Sequence, residues 1–96
     1  NVALGRSDWG NAVAVFEQAL RRAPGDPVAP LNLSTALMEE AGALVEAGRR
    51  AEAESRVALA LRYARAAAVL AGGDADIAAQ EARIRRMAEK WGLVTR

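Results

Sequence analysis

Ninety-six residues with a net charge of +1 bound one small domain and give no strong field for nucleic acid or an anionic membrane. The sequence has no His and no Cys, which removes imidazole acid–base chemistry, thiol nucleophiles, disulfides and the common zinc ligands. A quarter of the residues are alanine and only two Trp, one Tyr and one Phe are present, so an all-α chain with a core of thin side chains is expected.

Helix-breaking chemistry divides the chain. Pro24-Gly25-Asp26-Pro27, Gly48 and Gly72-Gly73-Asp74 separate four helical segments, and Gly92 follows the last periodic residue. The first segment, about 8–22, places Trp9, Ala12, Val13, Phe16, Ala19 and Leu20 on one face. Ser7 or Asp8 can cap its free amides, and Glu17 and Arg21 are spaced to pair on the wet side.

The second segment, about 27–47, has Asp26 as its cap and Pro27 at the first helical position, where a missing N–H costs nothing. It carries two apolar stripes. Leu33, Ala36, Leu37, Ala41 and Leu44 form one; Val28, Leu31, Thr35, Met38, Gly42 and Val45 form the other. At about 100° per residue the two point in nearly opposite directions. Such a helix is either covered on both sides or offers one side to a partner.

The third segment, about 49–71, has a main stripe of Val57, Ala60, Leu61, Ala64, Ala67, Ala68 and Ala71. Leu59, Tyr63, Ala66 and Leu70 widen it, so burial from more than one direction is expected, with Glu52 and Arg56 pairing outside. The fourth, about 74–91, holds Ile77, Ile84, Met87, Ala88 and Trp91 on a narrow stripe that Gln80 and Glu81 interrupt. Its back is charged, as the last helix of a stack requires.

The run Asp8-Trp9-Gly10-Asn11-Ala12-Val13-Ala14-Val15-Phe16-Glu17-Gln18-Ala19-Leu20, followed by Pro24, resembles the second half of a tetratricopeptide repeat. Trp9, Ala12, Phe16, Ala19, Leu20 and Pro24 stand at the places of that pattern: small residues for close helix crossing, aromatics as fillers, proline to stop the helix. Gly48 to Leu61 repeats it with Ala53 and Ala60 at the close-contact places and Val57 where an aromatic is usual. Ala12 to Ala53 spans 41 residues against a family period of about 34. The surplus of about seven is two helical turns, which keeps the stripes in register, so residues 27–71 are read as one elongated hairpin. The resemblance implies an α-solenoid fragment of antiparallel helix hairpins over residues 1–96, closed by a C-terminal capping helix, with residues 1–6 the end of a truncated first helix.

The resemblance also implies a site. The second helix of this chain corresponds to the one that lines the family's concave groove, so Val28, Leu31, Thr35, Met38 and Val45 read as a surface for a partner polypeptide, with Asn32 and Glu39 along its edge. Burial of this stripe against a neighbouring helix is the competing reading. Asn32 matches a position that hydrogen-bonds a bound peptide's backbone in the family. Val28 and Leu31 occupy places where a carboxylate clamp would need polar groups, so no such clamp is expected. Glu39 and Glu46 lie two turns apart on a solvated face and do not form a catalytic pair.

Arg83, Arg85, Arg86 and Lys90 lack interleaved aromatics and are offset by Glu81 and Glu89, so nucleic acid is not an expected partner. Gly72-Gly73 is not followed by the Lys-Ser/Thr of a phosphate loop. No apolar run approaches the roughly 20 residues that span a bilayer, so a soluble chain is expected, with no membrane partner and the cytoplasm as its default compartment. The chain begins at Asn1 without an initiator Met or signal-peptide pattern, which suggests a segment of something longer.

The functional expectation is a non-catalytic scaffold, without cofactor or metal, that binds another protein or peptide. The alternatives are a structural or self-associating segment of a longer helical-repeat protein, with a homo-oligomer as one form, and a non-catalytic domain appended to an enzyme.

Overall fold

Helix ends follow the local backbone chemistry. The computed structural model describes the backbone of residues 6–93 and the side chains of residues 11–93. Four α-helices follow in order: α1 (Arg6–Arg22), α2 (Val28–Glu46), α3 (Arg50–Ala71) and α4 (Ala75–Lys90), with no strand among the described residues. Ser7 and Asp8, expected as caps, lie inside the first turn of α1. The expected end of a truncated earlier helix falls mostly on residues 1–5, outside the described residues.

Asp26 opens α2. Its Oδ1 accepts from Val28 N at 2.9 Å, and Pro27 already has helical dihedrals (φ −70°, ψ −16°). Pro30 has no N–H, so the first helical bond is Leu31 N to Pro27 O at 3.1 Å. At the far end Gly48 adopts φ 77°, a value that would strain any residue with a Cβ. The reversal is closed by Gly48 N to Val45 O (3.0 Å) and Arg49 N to Leu44 O (2.8 Å), the paired bonds of a Schellman ending. Asp74 caps α4 by accepting from Asp76 N (2.9 Å) and Ile77 N (3.2 Å).

The core lies between α2 and α3. Leu33, Ala36, Leu37, Ala41 and Leu44 of α2 are buried, as are Ala53, Val57, Ala60, Leu61 and Ala64 of α3. Ala41, Ala53 and Ala60 are fully covered, so the two backbones approach closely along the hairpin. Ile84 and Ala88 of α4 and Leu93 beyond it close the cluster. Among the other helices α1 packs only on α2. Val13 reaches the core, whereas Ala12, Phe16, Ala19 and Leu20 are half-buried. Phe16 therefore does not fill a closed interior as the repeat pattern suggests, because among the described helices only α2 covers α1. The Trp9 side chain lies outside the described residues.

Several surface expectations are corrected. Ala66 and Leu70 are exposed, and Val69 is 80% exposed, so α3 is not covered on a second side near its end; no described helix packs there. Glu52 pairs with Arg49, and Arg56 turns instead across to Glu40 of α2 at 3.1 Å. The adjacent helix offers Arg56 a carboxylate in a less solvated place than the outer face does. No ion pair joins Glu17 to Arg21 among the described residues; Glu17 lines a small cleft between α1 and the hairpin. Gln80 and Glu81 do not merely interrupt the α4 stripe: Gln80 is buried and Glu81 joins α4 to α3.

Candidate functional site

α4 leans mainly on α3 and barely touches α2. Between α2 and α4 it leaves an open groove of about 880 Å³. The groove runs from Thr35 to Glu46 along α2 and from Gln80 to Trp91 along α4, about 16 Å on each side at 1.5 Å per residue. Met38 and Val45 from α2 and Ile84, Met87 and Trp91 from α4 give it an apolar floor. Ile84 is 2% exposed and anchors the floor to the core, while Met87 is 42% exposed. Two thioethers on this surface supply an adaptable lining.

One end of the groove is polar. Gln80 is 7% exposed, and its Nε2 donates to Ser34 Oγ (3.0 Å) and Thr35 Oγ1 (3.2 Å). Its Oε1 accepts from Arg83 Nη1 at 3.0 Å, and Arg83 Nη2 donates to Asp76 O at 3.3 Å. The two hydroxyls donate in turn to Leu31 O, at 2.7 Å from Ser34 and 3.3 Å from Thr35. The Gln80 amide is thus satisfied on both ends, which is what allows it to be buried at the α2–α4 crossing.

The other end is closed by Trp91. A Cβ at Gly42 would stand 3.1 Å from Trp91 Cζ2 and 3.3 Å from Cη2, so the indole lies against the α2 backbone and only glycine gives it that approach. Gly92 (φ 72°) ends the chain's turn there. Gly92 N bonds Glu89 O (3.0 Å) and Leu93 N bonds Ala88 O (2.9 Å), while Leu93 is buried. Arg50, the first residue of α3, donates to the carbonyls of Trp91 and Gly92. A cation thus meets the free carbonyls at the negative end of α4.

Glu81 lies outside the groove and ties α4 to α3. Its Oε2 accepts from Arg65 Nε at 3.0 Å and Arg85 Nη2 at 3.2 Å. The hydrogen bond from Arg65, with further help from Arg85, holds the carboxyl below its usual value despite an opposing contribution from burial. Among the described residues no cluster of His, Cys, Asp and Glu could hold a metal, and no helix is long and apolar enough to cross a membrane.

The succession of paired helices with alanines at the crossings now has a counterpart among known families: a family model described as tetratricopeptide repeat matches residues 3–72. The chain belongs to the tetratricopeptide repeat family. No curated protein and no solved structure matches it. Repeats of this family generally mediate protein–protein interaction and are typically non-catalytic scaffolds. The match covers α1 to α3; α4, which supplies half of the groove, lies beyond it.

Of the α2 residues picked out in the sequence, Thr35, Met38, Glu39 and Val45 line the groove. Val28, Leu31 and Asn32 sit nearer the start of α2 and do not; Val28 is exposed, Leu31 and Asn32 half-buried. Of the repeat-signature positions, Ala53, Val57 and Ala60 are buried and Pro24 is exposed in the α1–α2 turn. The sequence reading left out the α4 wall, namely Gln80, Arg83, Ile84, Met87 and Trp91. One signal could have found it. Gln80, Arg83, Ile84, Met87 and Trp91 follow i, i+3, i+4, i+7 and i+11 spacing, which reads as one helix face once Gln80 is allowed to be buried.

Proposed function

We propose that this tetratricopeptide repeat chain is a protein-interaction scaffold and that the α2–α4 groove is where a partner polypeptide docks. The observation that carries the reading is an apolar, open floor with Met87 42% exposed in the middle of it. An accessible apolar surface between two helices is a liability unless something covers it. On this reading Thr35, Met38, Glu39 and Val45 contribute one wall, and Leu31 and Asn32 extend it toward the start of α2. The chain itself is non-catalytic on this reading, since the sequence has neither imidazole nor thiol to act as base or nucleophile.

The test is selection of a displayed random-peptide library on the 96-residue chain, followed by comparison with a Met87→Glu variant. A charge in the floor should weaken the selected peptides at least tenfold, because docking would strip its water and set it against the ligand's apolar side chains. Met87 is exposed enough for the variant to keep its helical content, which circular dichroism checks. Binders indifferent to Met87→Glu would move the interaction off the groove and refute the assignment.

A further inference from the structure

The two walls of the groove carry opposite charge in matching rows. On α2, Glu39 and Glu46 are both exposed, and both border the groove. On α4, Arg83 borders it; Lys90, seven residues later and beside Trp91, lies just past the lining residues, and both are exposed. Seven residues bring a helix back to nearly the same face, about 10.5 Å further along its axis. Neither Glu39 nor Glu46 has an ion-pair partner among the described residues. The hydrogen bonds of Arg83 to Gln80 and to the Asp76 carbonyl orient its guanidinium without neutralising it. Acidic residues of α2 and basic residues of α4 thus flank the apolar floor, and no ion pair joins them among the described residues.

We infer that the occupant is an amphipathic α-helix of a partner protein, with its apolar stripe on the floor, a basic edge toward α2 and an acidic edge toward α4. The inference rests on the groove reading above and adds the chemistry of the ligand. The spacing selects a helix over an extended peptide. A ligand helix lying along the groove repeats its own face every seven residues, so one edge meets both members of a wall. In an extended chain about 10.5 Å is roughly three residues, and residues three apart point to opposite faces. The charges select more than they strengthen, since each is a rim contact open to solvent. A ligand with the same sign on both edges meets one repelling wall, and reversing the ligand along the groove does not help it. A ligand with two unlike edges always has one direction that matches.

The experiment uses the whole chain and four labelled peptides of about 18 residues with one Leu/Ile stripe, read by fluorescence anisotropy. The first has Lys at i, i+7 on one edge and Glu at i, i+7 on the other. The second is the same with a central proline, and the third and fourth carry only Glu or only Lys on both edges. The first should bind at least tenfold tighter than the proline peptide and about tenfold tighter than the all-Glu and all-Lys peptides. That margin should shrink at about 0.5 M salt, where the Debye length falls to a few Å. Glu39→Lys with Glu46→Lys makes both walls basic and should move the preference to the all-Glu peptide. Equal binding of the proline peptide, or an unchanged preference in that double variant, overturns the inference; if Met87→Glu still abolishes that binding, the groove reading stands alone. Binding insensitive to Met87→Glu overturns both. No binding by any helical peptide overturns the helix assignment. A concentration-dependent dimer lost in Met87→Glu gives the groove to a second copy and overturns it as well.

Discussion

Truncating one residue on each side of α2 and α4 separates a packed core from an open groove. Leu37 is 2% exposed and sits among Ala41, Ala53 and Ala60, all fully covered. Leu37→Ala removes apolar atoms that fill space between two backbones, and its alanine neighbours have no rotamers with which to fill the void. Relaxation would require helices to move together, so the cost should fall in the upper half of the usual range of about 2–5 kcal/mol, near 3–4. A domain of this length is stable by about 5–14 kcal/mol at typical values per residue, so the loss is a large fraction of the total. At roughly 4–8 °C per kcal/mol, the melting temperature should fall by at least about 12 °C. Met87 is 42% exposed over the groove, so Met87→Ala leaves no closed cavity and should cost about 1 kcal/mol or less. Urea unfolding with an unchanged slope would give both numbers. If Met87→Ala costs as much as Leu37→Ala, then α4 lies flat on α2 in solution, the groove is closed, and the docking argument fails.

Other outcomes follow from the same geometry. Leu31→Ala and Met38→Ala, at half-buried positions, should each destabilise by less than Leu37→Ala in the same urea series; a larger loss at either would place that residue in a closed core. Glu81 has a folded-state pKa below its unfolded one, so the stability it supplies is present above the unfolded value of about 4.5 and is lost as pH falls through the folded value. The carboxylate is a third exposed, so the effect should stay below about 1 kcal/mol. Glu81→Gln should flatten the fall in urea midpoint between pH 5 and pH 3, and an unchanged slope would mean that the Arg65 and Arg85 bonds do not persist in solution. Arg50→Met should leave the last carbonyls of α4 without their donor, and hydrogen exchange at Trp91, Gly92 and Leu93 should speed up while the α2–α3 core stays protected. Uniform loss of protection would show that this contact supports the whole domain and not the end of α4.

Residues whose role is set by their own neighbours in sequence were legible without coordinates. Asp26-Pro27, Gly48 and Gly72-Gly73-Asp74 act through local backbone chemistry, and the helices break there. The core stripe of α2 follows from periodicity alone, because five apolar residues on one face of a helix have nowhere else to go. What escaped depends on how helices meet. Gln80 reads as an interruption in a one-dimensional stripe, and its burial makes sense only once Ser34 and Thr35 of α2 stand opposite. Arg56 has a sequence neighbour of the right charge at Glu52, but the nearer carboxylate belongs to another helix. Phe16 fits the repeat pattern, yet how far it is covered depends on which helices surround α1. The half of the groove supplied by α2 could be proposed from a stripe of residues, whereas the half supplied by α4 emerges only once Gln80 is seen to be buried against Ser34 and Thr35.

The groove persists because α4 is held to α2 at both ends and not along its middle. At one end the Gln80 amide bridges to Ser34 and Thr35; at the other the Trp91 indole rests on Gly42. Each contact fixes a separation. A buried, satisfied amide holds its partners at hydrogen-bond distance and resists both approach and withdrawal. An indole against a bare backbone acts as a spacer as thick as a ring. Gly42 is therefore a setting for groove width, and Gly42→Ala has two opposed consequences. Alanine in mid-helix gains up to about 1 kcal/mol over glycine, but its methyl would stand 3.1 Å from the indole, closer than ordinary carbon contact. The ring has open groove on its other side and can shift by a few tenths of an ångström, so overall stability should change by less than about 1 kcal/mol. The signature should appear in the indole NMR signal of Trp91 and in ligand binding, with little change in the unfolding midpoint. A loss above about 2 kcal/mol would mean that the ring cannot move, and that Trp91 belongs to the packed core and not to the wall of a groove.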